Sequence, residues 1–215
     1  MPNPTSQSFA PPDAPPSAVL EQALNAHSAN KLPEAERLYR TYLAKIPKDP
    51  RALHNLGVIG LQTGHADAAI SLIRRSLEID NTSADVHCNL GLALKQVGHN
   101  FAAEQAYRSA ISIDPTFADA YSNLGVVLKD MSRSEEAHAV LGTAVALAPD
   151  NCAALANLGL LELKMSRPEQ ALQHLFAAAK LEPENTVVLS NLGGLLAERN
   201  RYREAIKYLE KAFSL

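Results

Sequence analysis

The sequence predicts an all-α chain wound as an α-solenoid of about six helix-turn-helix repeats, and three observations carry that prediction. The triplet Asn-Leu-Gly begins at Asn55, Asn89, Asn123, Asn157 and Asn191, with every interval 34 residues and no insertion or deletion between them. Twelve residues after each glycine of the triplet stands an alanine: Ala69, Ala103, Ala137, Ala171 and Ala205. The chain is rich in Ala and Leu, lacks Trp, and shows no strand-like alternation of β-branched residues. A fixed period of this length marks stacked supersecondary units, each too small to bury its own apolar face.

Each repeat reads as two helices. The triplet lies on the first, the alanine on the second, and the pairing of Gly with Ala allows the two helices to cross closely. Four residues beyond the alanine is a large side chain (Ile73, Tyr107, Leu141, Leu175, Leu209), and three further a small one (Ser76, Ala110, Ala144, Ala178, Ala212). These offsets share one helical face. Pro115, Pro149 and Pro183 close the second helix of their repeats, with Asn81 in that place in the second repeat. Between the two helices Gly64 and Gly98 mark turns, Ser132 and Ser166 are expected N-caps, and Pro33 and Pro168 suit first-turn positions.

In this frame the repeats run 16–49, 50–83, 84–117, 118–151 and 152–185, with a shortened one at 186–215. The first has Gln22 and Ala23 instead of Leu-Gly, yet Ala35, Tyr39 and Pro47 keep its second half in register. Glu162 stands where most repeats carry Leu94, Leu128 or Leu196, and puts local packing in question. Residues 1–15 form a proline-rich segment expected to be a disordered tail, because proline removes backbone donors and forbids helix.

Composition narrows the function. An apolar content of 47% supports a packed core, while a formal charge of −3 gives no basic field for nucleic acid. No apolar run approaches the ~20 residues of a membrane span, and no basic-then-apolar leader opens the chain. Cys88 and Cys152 fall in non-adjacent repeats, which argues against a disulfide and for a reducing, cytoplasmic setting. No metal site is expected: His87 and Cys88 have no second pair at ligand spacing, and His65 and His99 fall in turns. Gly193-Gly194 is part of the repeat and not a phosphate loop. With no Ser, His and acid set either, the chain is read as non-catalytic and without a cofactor.

The spacing resembles the tetratricopeptide repeat, whose pattern is W-x2-L-G-x2-Y, then A-x3-F, then P, at a period of 34. The resemblance covers residues 16–215 and implies a right-handed superhelix with the first helices on the concave face. More narrowly, PTFADAYSNLGVVLKDM, from Pro115 to Met131, with the repeated Asn before Leu-Gly, resembles the repeat arm of O-GlcNAc transferase and of bacterial fusions of such repeats to a glycosyltransferase.

That second resemblance implies an asparagine ladder that binds a substrate backbone, carried here by Asn55, Asn89, Asn123, Asn157 and Asn191, with Glu21 at the equivalent place in the first repeat. Each side-chain amide can bond both the N–H and the C=O of an extended peptide, without regard to its side chains. His54, Cys88, Ser122 and Ser190 flank the asparagines, Asp85 and Asp119 lie near the helix starts, and Lys95, Lys129 and Lys164 toward the ends. Lys95 and Lys129 are the expected contacts to acidic substrate groups. A carboxylate clamp like that of chaperone-binding relatives is not expected, since Leu20 and Leu24 replace its basic residues.

On the last helix, Ile206, Leu209, Ala212, Phe213 and Leu215 form an apolar stripe, read as an interface to a further domain or to a second copy. The expected function is a protein-binding module, as the recognition arm of a larger protein glycosyltransferase. The alternative is a self-associating scaffold or adaptor.

Overall fold

The computed structural model describes residues 15–215; the predicted disordered tail, apart from Pro15, lies outside the described residues. The described residues form twelve helices and no strand: α1 (Pro16–Ser28), α2 (Leu32–Lys45), α3 (Pro50–Gln62), α4 (Ala66–Ile79), α5 (Ala84–Gln96), α6 (Asn100–Ile113), α7 (Ala118–Asp130), α8 (Ser134–Leu147), α9 (Cys152–Lys164), α10 (Pro168–Leu181), α11 (Thr186–Glu198) and α12 (Tyr202–Ser214). The helix pairs follow the 34-residue frame, and the fold class read from the sequence is the one observed.

The chain divides into two compact units, Met1–Ala93 and Leu94–Leu215, with the boundary inside α5. In the first, α1 packs on α2, α3 on α4, and α2 against α3. Val19, Ala23, Leu38, Tyr39, Leu56 and Ile59 are among the buried residues of its core. In the second unit the hairpins α7–α8, α9–α10 and α11–α12 stack in chain order, α8 against α9 and α10 against α11. Leu155, Leu175, Leu189 and Leu192 lie in the core that spans α9 to α12.

The glycines do something more specific than the sequence suggests. A Cβ placed on Gly159 would lie 2.9 Å from Leu175 Cγ and 3.3 Å from the carbonyl oxygen of Ala171. On Gly57 it would lie 2.6 Å from Ile73 Cγ1, and on Gly193 2.6 Å from Leu209 Cγ. The missing Cβ therefore admits the large side chain one turn beyond the alanine, as well as the alanine backbone. This seats Leu209 within its own hairpin, so it is half-buried and leaves the predicted terminal stripe.

The turn between the two helices of a repeat corrects another expectation. Ser132 and Ser166 are not N-caps: they adopt φ of 62° and 58°, in register with Asn30, Gly64, Gly98 and Asn200, all left-handed. The N–H of Ser132 bonds Lys129 O at 3.0 Å and that of Arg133 bonds Leu128 O at 2.9 Å. That pair of bonds is a Schellman closure, in which the left-handed residue ends the first helix and the residue after it starts the second. True side-chain caps lie at the start of three first helices, where Asp49, Asn151 and Asn185 accept from Ala52, Ala154 and Val188. Pro33 and Pro168 occupy first-turn positions as expected.

Candidate peptide-binding surface

The asparagines of the triplet sit at one position of each first helix: Asn55 on α3 and Asn89 on α5 in the first unit, Asn123, Asn157 and Asn191 on α7, α9 and α11 in the second. All five are half-buried. The leucine that follows each one is held toward the core in most repeats, and helical geometry turns the amide about 100° away from it.

Their hydrogen bonding differs from rung to rung. Asn89 Nδ2 lies 2.9 Å from His54 Nε2, linking α5 to α3. Asn191, which has Ala156 at the place equivalent to His54, instead turns Nδ2 back to Val187 O of its own helix at 2.7 Å. No side-chain hydrogen bond ties Asn55 or Asn157 to the other described residues. The repeat thus fixes where the amides stand, and the residue one position earlier in the preceding repeat differs between the two bonded rungs, His54 for Asn89 and Ala156 for Asn191. The bonds of Asn89 and Asn191 both engage Nδ2, and an amide carries a second N–H and a carbonyl oxygen beyond that.

Among the residues expected beside the ladder, Asp119 Oδ1 accepts from Asn151 Nδ2 at 2.9 Å, which ties α7 to the cap of α9. Lys95 Nζ is 3.9 Å from Asp130 Oδ2, so this predicted contact to acidic groups already faces a carboxylate of the next repeat. Lys129 is half-buried near the end of α7 and Lys164 is exposed on α9. Cys88 and Cys152 are buried and neither is in a disulfide; burial pushes the Cys152 thiol up to about 11. On α12, Ile206 and Phe213 are exposed, Phe213 at 89%, as is Leu215 just beyond its end, and Tyr202 joins them although the sequence did not single it out.

The sequence also missed the partners of Glu162. This carboxylate is 1% exposed and meets His138 Nε2 of α8 at 3.2 Å and His174 Nδ1 of α10 at 2.7 Å. The signal was present: His174 falls where the other repeats carry Leu38, Leu72, Ala106, Val140 and Tyr208, so two polar residues depart from apolar positions in one repeat. Similarly, Glu104 on α6 is buried and held by Arg133 at 2.6 Å and Arg108 at 2.8 Å. Burial alone would push the Glu104 carboxyl up, but the two guanidinium groups together hold it below the usual range.

Helix hairpins in a fixed 34-residue register, with one polar position repeated on every first helix from α3 onward except in the degenerate N-terminal hairpin, define a helical repeat protein of the protein-binding class. The chain belongs to the tetratricopeptide repeat family: that family's models match residues 20–84 and 122–180, and, in other versions, 102–132 and 162–213. Among solved structures it is similar to PilF of Pseudomonas aeruginosa, with 30% identity over 77% of this chain and 75% of that one and a TM-score of 0.72. MamA matches at 23% identity over 79% and 92% of the two chains, TM-score 0.68. YrrB, a TPR protein with an unusual peptide-binding site, matches at 19% over 80% and 88%, TM-score 0.65. The last two are likenesses of fold. No curated protein sequence matches the chain significantly. Among the described residues no helix is long and apolar enough to cross a membrane.

Proposed function

We propose that the chain holds extended polypeptide segments along its first helices through the side-chain amides of Asn55, Asn89, Asn123, Asn157 and Asn191, as the substrate-recognition arm of a larger protein glycosyltransferase. The observation that carries the binding role is the recurrence of one half-buried amide at one position of successive first helices, with hydrogen-bonding capacity left over at Asn89 and Asn191 after their bonds within the chain. A core role would consume that capacity, because an unsatisfied buried amide is costly. Binding of this kind reads the peptide backbone, so affinity would depend little on substrate side chains. Lys95 and Lys129 would add a preference for acidic segments. The glycosyltransferase assignment is supported by the segment from Pro115 to Met131.

Replacing Asn89, Asn123 and Asn157 together by Ala tests the binding role. Affinity for a fluorescent peptide selected from a random twelve-residue library should fall at least tenfold with helicity retained, each lost bond being worth about 1 kcal/mol. Unchanged affinity would exclude the amides from binding. The enzyme-arm assignment stands or falls on whether an α/β domain with a nucleotide-sugar site follows residue 215 in the parent reading frame.

A second reading, self-association as a scaffold or adaptor, draws on the exposed Ile206, Phe213 and Leu215. Its test is sedimentation of the chain and of Phe213→Glu, which should dissociate any dimer formed through α12.

A further inference from the structure

We propose that His54 is a positioning residue for the peptide-binding surface: it takes up the amide nitrogen of Asn89 and thereby leaves the Asn89 carbonyl oxygen as the group offered to a bound segment. The rung at Asn89 then offers that oxygen to a peptide N–H, alongside the second hydrogen of Nδ2. This inference rests on the backbone-binding reading proposed for the five asparagines.

Donors and acceptors decide the geometry. Asn Nδ2 only donates, so His54 Nε2, at 2.9 Å, must accept and carry no proton. The ring proton is then on Nδ1. Burial favours this neutral form, holding His54 below the usual histidine range; Asp85 of α5 acts against it, and His27 of α1 acts with it. His87 of α5 is turned to Asn81 O at 3.1 Å. The charged residues of α4, namely Asp67, Arg74, Arg75 and Glu78, are exposed, and Arg75 reaches toward Pro47 O at 3.5 Å. On α2, Tyr42 donates to Asp49 Oδ2 and Arg40 pairs with Glu36, so neither competes for the imidazole. With the ring proton on Nδ1, Nε2 can only accept, and it holds the amide through Nδ2. Because Nδ2 and Oδ1 occupy opposite arms of a planar group, fixing one directs the other.

The contrast within the chain supports a special role. Ser122, Ala156 and Ser190 take the place of His54 in the second unit, and none of them titrates. Asn191, with Ala156 at that place, bonds its own helix instead. If His54 gains a proton as the pH falls below its range, Nε2 becomes a donor and can no longer accept from Nδ2. The amide must then invert, placing Oδ1 on the ring and Nδ2 outward. The rung then loses its free carbonyl oxygen and offers only N–H donors.

The test uses the full chain, a fluorescent peptide selected against it from a random twelve-residue library, and the set of its singly N-methylated derivatives. At pH 7.5, one N-methyl substitution should weaken binding to the wild type about three- to tenfold, and that penalty should vanish in Asn89→Ala. His54→Leu should weaken the parent peptide by a similar factor, while His54→Gln, whose amide oxygen can accept from Nδ2, should restore it. As the pH falls from 7.5 through the depressed range of His54, the wild type should lose affinity relative to His54→Gln. If Asn89→Ala loses affinity but His54→Leu, folded by circular dichroism, binds as the wild type does, the positioning role is overturned. Identical pH profiles for wild type and His54→Gln would overturn it too, and this comparison holds even where His54→Leu fails to fold. If neither Asn89→Ala nor Asn157→Ala weakens binding, it is the backbone-binding reading that has failed.

Discussion

Glu162 on α9 and His174 on α10 are joined by a 2.7 Å hydrogen bond, and the second oxygen of the same carboxylate reaches His138 of α8. One side chain thus binds its own hairpin partner and the helix of the preceding repeat. The carboxylate is buried while both imidazoles are about a quarter exposed.

Removing that carboxylate separates two effects. Glu162→Ala leaves a cavity and two donors without their acceptor, and should cost about 2–4 kcal/mol in urea unfolding. Glu162→Leu restores the residue type of Leu94, Leu128 and Leu196, and lets the part-exposed imidazoles turn to water. It should cost at least about 1 kcal/mol less than the alanine variant, since apolar replacement of a buried polar group is often near neutral. Equal losses would mean that the hydrogen bonds, and not the filled volume, dominate.

Acid should loosen the junction at Glu104. Burial raises this carboxyl, but Arg133 and Arg108 together outweigh it, so the folded group titrates below its unfolded counterpart near 4.5. A depressed carboxyl contributes stability that is complete above the unfolded value and is lost as pH falls through the folded one. Urea midpoints measured downward from about pH 6 should therefore decline below about pH 4.5, and the decline should be shallower in Glu104→Gln. That variant should also be about 2 kcal/mol less stable at neutral pH.

The left-handed turns make a prediction of opposite sign to the cap reading. Ser132→Gly and Ser166→Gly relieve a Cβ held at positive φ, and each should stabilise the chain by about 0.5–1 kcal/mol. Were the serines N-caps, glycine would leave stability slightly lower and alanine would cost about 1 kcal/mol. Thermal and urea unfolding of the two glycine variants decide between these.

Much of the fold is legible in the residues alone. Because the helix pair is short and copied without insertion, its hydrophobic period and its breaking residues fix the helix boundaries, and the family follows from the same register. The positions of the five rungs are equally readable as Asn55, Asn89, Asn123, Asn157 and Asn191. The turn chemistry is legible only in part: Ser at positions 132 and 166 suits a cap by propensity, and although the register aligns it with Gly64 and Gly98, it is the backbone that shows a left-handed site.

What the sequence by itself determined is the local and the periodic: the helices, their pairing within repeats, and one amide per first helix from α3 onward. These depend on neighbours three, four or 34 residues away, all visible in one dimension. Tertiary structure alone decided the pairings between repeats, such as Asn89 with His54, Glu162 with His138, and Arg133 with Glu104. Such contacts depend on how far one hairpin is rotated on the next, which sets whether a side chain meets a partner, its own backbone or solvent. Periodicity places the asparagine, and packing decides which of its atoms is left to bind.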